Sequence, residues 1–320
     1  MTIANIARLT PIFKGLLTWV PGVQRAFYTG DGGGATASAK YCYGVWLKHL
    51  SLLWQSGMRA MPRTVLELGP GDSLGTGLAA LLSGAERYGG VDVVRHASVR
   101  TTRPVLRELT ALFQARSPRP TKGWPDFDDC LDQRLFPGSA LTEDALARAL
   151  APERIARIAQ AVERLDSRPQ HPMVRYATWR EPEPIGEGEA DLIFSHVVLC
   201  VVDDVERMYR NCARWLKPGG WMSHQTDFTS LGVTKEWNGH LQYTEAQWSA
   251  IAGRRPFFAN RERLSTHLEL LDKHGFDVVS QLRQYPGGGI GRSQLAPRWQ
   301  GISDDDLNCA RIFLVARKRG

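Results

Sequence analysis

Side chains that could remove a proton or hold a polar ligand are concentrated between residues 224 and 240. His224, Asp227 and His240 are each candidates for a general base. Trp237 and Asn238 precede a glycine, and this turn could present an aromatic wall and an amide beside His240. Because His224 and Asp227 are three residues apart, they point to opposite faces if both lie on one strand. A structural role is the alternative for each histidine.

A second polar group follows at residues 254–267 and contains Asn260 and Arg261. Its arginines could bind a phosphate or a carboxylate, and its amide could bind hydroxyls. An acceptor such as a sugar, with or without an anionic group, would suit these side chains.

The polar residues need elements to position them, and the clearest is Val65 to Gly75, VLELGPGDSLG. An apolar run predicts a buried strand, the glycines a tight turn, and Asp72 or Ser73 the cap of a helix. Gly69 and Gly71 let a ligand approach the backbone and the first N–H groups of the helix. Glu67 would repel a pyrophosphate but would suit an ammonium or a hydroxyl group.

A second strand is predicted over residues 88–94, and Asp92 marks its end. An acidic residue about 20 positions after the glycines can accept hydrogen bonds from ribose hydroxyls. Asp92 therefore indicates a nucleoside ligand, with Val93 beside the adenine; a helix cap is the alternative. Ala177 and Thr178 end the predicted third strand, near the same base.

Residues 190–228 provide a further pattern: a strand ending at Ser195 and His196, a helix from Asp203, the turn Leu216-Lys-Pro-Gly-Gly220 and another strand. We expect the glycine pair to end that helix. With the E-x-G-x-G order at Glu67, this succession resembles motifs of the class I S-adenosylmethionine (SAM) methyltransferases. The whole chain is also similar to bacterial methyltransferases found beside surface-polysaccharide genes.

The resemblance implies an α/β, Rossmann-like, doubly wound sheet of seven strands with the last strand antiparallel. It implies SAM as the cofactor, and we predict transfer of its methyl group to a hydroxyl of a small molecule or glycan. Ser195 and His196 would be contacts on the cofactor side. N-terminal segments of this fold often close the cofactor pocket, so Tyr41 and Tyr43 are also candidates for contacting SAM. An NAD(P)-dependent oxidoreductase and a catalytically silent binding protein are the alternatives.

Domain organisation is predicted as an N-terminal helical extension or lid over residues 1–60 and a methyltransferase domain over residues 61–320. The domain would carry a helical insertion at about 117–170 and a substrate-side segment at about 228–263. Residues 1–23 are expected to pack a helix on the body. A peripheral membrane helix is the alternative, disfavoured because its polar face has few cations.

Composition limits the remaining function classes. The chain has 320 residues, a net charge of +7 and no dense basic run, which argues against a nucleic-acid binder. Its five dispersed cysteines predict free thiols in a reducing, cytoplasmic compartment and no metal site. No signal peptide or membrane span is predicted, and the sequence does not indicate an oligomeric state.

Overall fold

The computed structural model of the chain describes residues 3–20, 35–120, 127, 136–255 and 257–320, with side chains from residue 9 onward. Residues 21–34 of the predicted N-terminal extension or lid lie outside the described residues, as do Trp124 and Cys130 of the insertion.

Seven strands form one sheet in the order β3-β2-β1-β4-β5-β7-β6. The five strands β1 to β5 run parallel, and β7 pairs antiparallel with both β5 and β6. The predicted seven-stranded sheet with an antiparallel last strand is therefore confirmed. The strands are β1 Thr64–Leu68, β2 Arg87–Asp92, β3 Val174–Thr178, β4 Ala190–His196, β5 Leu216–Asp227, β6 Phe276–Gln284 and β7 Arg311–Lys318.

Helices cover both faces of the sheet, as expected when parallel strands are buried on both sides. One apolar cluster joins α2, α3, α4 and α6 to one face, and a second joins α7 and α9 to the other. The described helices are α1 Ile3–Leu17, α2 Ala39–Gln55, α3 Gly75–Leu82, α4 Val99–Gln114, α5 Glu143–Ala149, α6 Pro152–Glu163, α7 Val205–Trp215, α8 Glu245–Ala252, α9 Leu264–Lys273 and α10 Asp304–Asn308.

Two helix starts differ from the sequence prediction. Helix α3 begins at Gly75 after Leu74, although the Ser73 hydroxyl still accepts a hydrogen bond from Gly75 N at 3.1 Å. The sequence also predicts a helix start at Pro104, since proline is common at the first helical position. Helix α4 begins instead at Val99, because Ser98 and Thr101 form a capping box. Pro104 therefore lies inside the helix.

The glycine pair after α7 does not end that helix, which was a wrong prediction. Helix α7 ends at Trp215, and Leu216 is already extended and paired with Ala190. Gly219 has φ +73°, and the register shifts between Leu216 and Trp221. The two glycines thus form an irregularity in β5, after which the strand pairs with β4 again from Trp221 onward.

The predicted helical insertion contains α5 and α6, between β2 and β3 in the chain. Helix α2 packs within the main core, with Tyr43, Trp46 and Leu50 fully buried. The boundary at residue 60 stays a prediction.

Cys42, Cys200, Cys212 and Cys309 are buried free thiols. Of the helices that the structure describes, none is long and apolar enough to cross a membrane.

Candidate functional site

The turn between β1 and α3 is shaped by two glycines with left-handed backbone. Gly69 has φ +64° and Gly71 has φ +74°. A Cβ atom on Gly69 would lie 2.6 Å from a methyl group of Val198, which follows β4. A larger residue at position 69 would therefore strain the backbone and push against the end of β4.

Asp92 ends β2 directly beside this turn. Its carboxylate accepts hydrogen bonds from Gly71 N at 3.3 Å and from Val93 N at 2.8 Å. Only 8% of Asp92 is exposed, and burial raises the pKa of its carboxyl. The two backbone donors fix the carboxylate at the cavity wall, where its remaining lone pairs can accept hydroxyl hydrogens.

Glu67 lies on β1 at the floor of the same cavity. The Tyr88 hydroxyl donates to its Oε2 at 2.6 Å. Burial raises the pKa of Glu67 to about 8, although hydrogen bonds from Tyr88, Gly77 and Thr76 act in the opposite direction. A Cβ on Gly77 would lie 1.9 Å from the Tyr88 ring, so this glycine makes room for the tyrosine that holds Glu67.

A cavity of about 990 Å³ opens over these groups. Val93, Val94 and Trp179 form an apolar wall near Asp92. Thr36 and Tyr41 line it from the N-terminal side, and Thr36 also bonds to Ser73 of the glycine turn. The cavity is therefore polar at the strand ends and apolar on its flanks, as small-molecule sites commonly are.

His196 ends β4 and lines the cavity, half-buried in its wall. Its ring lies 6.0 Å from that of Tyr41 and 5.7 Å from that of His49, measured between centroids. Burial, with the charge of Lys48, lowers the pKa of His196 to about 3. The imidazole is therefore neutral at pH 7, as a proton acceptor must be.

The structure places the other predicted bases away from this cavity. His224 is 1% exposed, shares a hydrogen bond of 2.8 Å with the Ser195 hydroxyl, and does not line the cavity. Burial lowers its pKa to about 3. Ser195 is itself fully buried beneath the strand end. This pair joins β4 to β5.

His240 and Asp227 are also buried in structural surroundings. His240 is 1% exposed, and its ring lies 5.9 Å from that of Trp248. Asp227 forms an ion pair of 3.0 Å with Arg311 of β7 and accepts from Thr229 N. Neither belongs to the cavity that contains Asp92.

Two of the predicted acceptor-binding residues tie loops together. Asn238 donates to the carbonyls of Ile290 and Leu307 and accepts from Ile290 N. Asn260 donates to the carbonyls of Leu199 and Val202, and so shapes the turn after β4.

Arg261 and Trp237 also contact protein groups. Arg261, buried between Trp248 and Trp299, forms an ion pair with Glu245. The indole N–H of Trp237 donates to Gly287 O at 3.2 Å.

Besides Ser195, three residues predicted to contact the cofactor lie outside the cavity. The Tyr43 hydroxyl donates to Ser117 O at 2.6 Å, within the core. Ala177 is buried in β3, and Thr178 N donates to the Glu181 carboxylate at 2.7 Å. Trp179, the next residue, takes the position at the cavity wall.

A second cavity, of about 1040 Å³, adjoins the first at Phe257, which lines both. It lies between α1 and the predicted substrate-side segment. Its charged lining residues are Lys14, Lys235, Arg255 and Glu236, and its aromatic lining residues are Tyr243, Phe257 and Phe258. The lining thus combines aromatic rings with an excess of positive charge, because it has three cations and one carboxylate.

Sequence reasoning did not single out Thr76, His96, Phe257 or Arg207, which also line the first cavity. Thr76 is the second residue of α3 and carried no motif signal. Phe257 and Arg207 are distant in the chain, and only the folding of the 228–263 segment and of α7 brings them to the strand ends.

No cluster of three or more potential metal ligands occurs among the residues with described side chains. The expectation that no metal is required stays a prediction.

Comparison with known proteins gives one family match. The sequence model of a protein family described as "Methyltransferase domain" matches residues 140–223. Comparison with curated proteins finds no match.

Among solved structures, the chain is similar to phosphoethanolamine N-methyltransferase 2 of Haemonchus contortus in complex with SAM. The identity is 15%, the TM-score is 0.43, and the match covers 86% of this chain and 53% of that one. This chain thus spans about half the length of that protein. A SAM-dependent methyltransferase from Mesorhizobium loti has 15% identity and a TM-score of 0.41, with 83% and 96% covered.

Proposed function

We propose that the chain is a class I SAM-dependent methyltransferase that transfers a methyl group to a hydroxyl of a small molecule or glycan; the family match over residues 140–223 and the strand order of the sheet support this. The observation that carries the proposal is the Asp92 carboxylate, held by Gly71 N and Val93 N at the edge of the first cavity. SAM would supply a methyl group already activated on a sulfonium.

The residues at the strand ends fit that cofactor. Asp92 can accept from two ribose hydroxyls, and Val93 with Trp179 offers apolar surface to a flat base. Gly69 and Gly71 leave room for close approach to the backbone. Glu67 sits where it can face an ammonium group, whose charge would favour the ionised form of its carboxyl.

His196 is our candidate for the proton acceptor, in place of His224 or His240. It lines the cavity at the end of β4, where reacting groups meet in open α/β sheets. A hydroxyl oxygen becomes positively charged as it gains a methyl group, so its proton grows acidic enough for a weak base. The neutral imidazole can accept that proton once the ring turns one of its nitrogens, both buried in the wall in this structure, toward the acceptor.

The second cavity is our candidate for the acceptor site. It meets the cofactor cavity at Phe257, which lines both, so an acceptor bound in it would lie next to the cavity that His196 lines. Tyr243 and Phe258 suit stacking on a sugar ring. Lys14, Lys235 and Arg255 outnumber Glu236, which favours an acceptor with an anionic group.

The first experiment compares thermal unfolding with SAM, S-adenosylhomocysteine, NAD and NADP. A ligand at 100 times its Kd adds about 2.7 kcal/mol to the folded state. We expect stabilisation by SAM and its product only, and its loss in Asp92→Ala. Asp144→Ala, which changes an exposed carboxylate on α5, should keep the response.

The same binding assay separates the alternatives. A response to NAD or NADP alone would support an oxidoreductase. SAM binding without S-adenosylhomocysteine formation, across a panel of hydroxylated and anionic acceptors, would support a silent binding protein.

A further inference from the structure

Helix α1 is fixed to the protein along one face. A Cβ on Gly15 would lie 2.1 Å from Ala250 O, so α1 and α8 are in backbone contact there. The buried Thr18 hydroxyl donates to Gly15 O at 2.6 Å and accepts from Arg254 N at 2.8 Å. The inner face of α1 carries the small residues Gly15 and Thr18 here, so the helix packs closely against α8 with no large side chain between them.

The opposite face of α1 is apolar and exposed. Leu9, Phe13, Leu16 and Val20 follow the spacing i, i+4, i+7 and i+11 and expose 44%, 64%, 51% and 47% of their surface. Trp19, 54% exposed, lies beside them. Backbone hydrogen bonds from Thr18, Trp19 and Val20 continue the turn beyond Leu17. We call these five side chains the apolar stripe.

One cation contacts the apolar stripe and others lie along the neighbouring edge of α1, some of them from distant parts of the chain. The first 30 residues contain no Asp or Glu, and Lys14 is exposed on α1 itself. The guanidinium of Arg254 lies 4.6 Å from the centre of the Trp19 ring. Lys235 and Arg255 line the second cavity with Lys14. These additional cations supply the positive charge that α1 lacks when its own sequence is considered alone.

We propose that α1 docks this protein on an anionic phospholipid surface through the apolar stripe. Interfacial helices place Trp, Phe and Leu at the boundary of headgroups and acyl chains, with basic residues beside them. A second copy of this chain fits the stripe less well as a partner. A stable protein interface needs about 20–30 residues a side, and the stripe has five.

The position of the second cavity agrees with docking through the apolar stripe. Thr10, Pro11 and Lys14 line that cavity from one edge of α1, while the stripe faces away from the body. A docked helix would therefore hold the cavity beside the lipid headgroups. The docking itself does not depend on which acceptor is methylated.

The test is co-sedimentation with vesicles of phosphatidylcholine alone and of phosphatidylcholine with phosphatidylglycerol. We expect the wild type to bind the anionic vesicles, to bind the neutral ones at least tenfold less, and to lose binding at high salt. The double variant Phe13→Ser/Leu16→Ser should bind anionic vesicles at least tenfold less. The matched control is Val278→Ser/Val279→Ser, which removes two exposed apolar side chains from β6.

Circular dichroism and the SAM thermal shift establish that both double variants are folded, whatever the vesicle result. Failure of the wild type to bind anionic vesicles, or equal binding by Phe13→Ser/Leu16→Ser, would overturn the proposal. So would a concentration-dependent dimer in sedimentation equilibrium that this variant abolishes, because the stripe would then belong to a second copy.

Discussion

At the scale of single residues, burial determines what the acidic and basic groups of the cavity can do. Glu67 is 4% exposed, and its pKa is raised to about 8 because desolvation outweighs its hydrogen bonds. His196 has its pKa lowered by the same cause. Both groups are therefore largely neutral at pH 7, and both are placed to respond when a charged or acidic ligand group arrives.

Replacing Glu67 with Gln should change how stability depends on pH. A carboxyl with a raised folded-state pKa binds its proton more tightly when folded, so its contribution to stability falls as pH rises from about 4.5 to about 8. The loss is at most about 1.4 kcal/mol per pH unit. Urea unfolding from pH 4 to 9 should give a flatter profile for Glu67→Gln. Equal slopes for both proteins would mean that Glu67 ionises normally.

Replacing His196 with Ala should lower turnover about 10²–10⁴-fold if it accepts the proton. SAM affinity should change little, since Asp92 and the glycine turn are untouched. The measurement is kcat with an identified acceptor, alongside SAM binding by calorimetry. His274→Ala, at the end of α9, is the control. If His240→Ala slows turnover in a stable protein and His196→Ala does not, His240 is the base.

At the scale of elements, buried polar side chains position the loops that form the cavity. Asn260 is one example: its amide donates to Leu199 O at 2.7 Å and to Val202 O at 2.8 Å. Both carbonyls belong to the turn that follows His196, and Val198, Val201 and Val202 of that turn line the cavity. A residue predicted to bind an acceptor is thus better explained as a support for the cavity wall.

Asn260→Ala should lower the free energy of unfolding by about 1–3 kcal/mol, because it leaves two partly buried carbonyls without donors. It should also weaken SAM binding by loosening the turn after β4. Denaturant unfolding and calorimetry measure the two effects. In Asn308→Ala, which removes an exposed amide bonded to Asp304 O, both should be nearly unchanged. If Asn260→Ala is less stable but binds SAM as tightly as the wild type, the turn after β4 does not contribute to SAM binding.

At the scale of the whole molecule, Arg263 joins parts that are distant in sequence. It is 2% exposed and donates to the carbonyls of Phe228, Asp306 and Cys309. Burial lowers its pKa to about 10, so it remains charged at pH 7. One guanidinium therefore connects the end of β5, the start of α9 and the region before β7.

Arg263→Met should reduce stability by about 3 kcal/mol or more, since several buried acceptors lose their donor at once. The comparison is Arg63→Met, which removes an exposed, solvent-screened ion pair with Glu86 and should leave the stability nearly unchanged. Urea unfolding of both variants at pH 7 measures the difference. Similar losses in the two variants would show that Arg263 contributes no more than a surface arginine.

The sequence by itself determined the elements and the cofactor end of the cavity. Apolar runs ended by glycines and acids predicted β1, β2 and β4, because strand burial and tight turns depend on neighbouring residues. Gly69, Gly71 and Asp92 could be named for the same reason. The seven strands, with the last one antiparallel, were predictable through the resemblance to a known family.

Only the tertiary structure decided which polar residues face the cavity and which are buried as supports. His224, His240, Asn238 and Arg261 all looked suited to a site, since their types are those that bind ligands. In the fold each is held by protein groups at long sequence separation, such as Arg261 against Trp299. Phe257, Thr36 and the cations around α1 reach their positions through the same long-range packing, which no local pattern encodes.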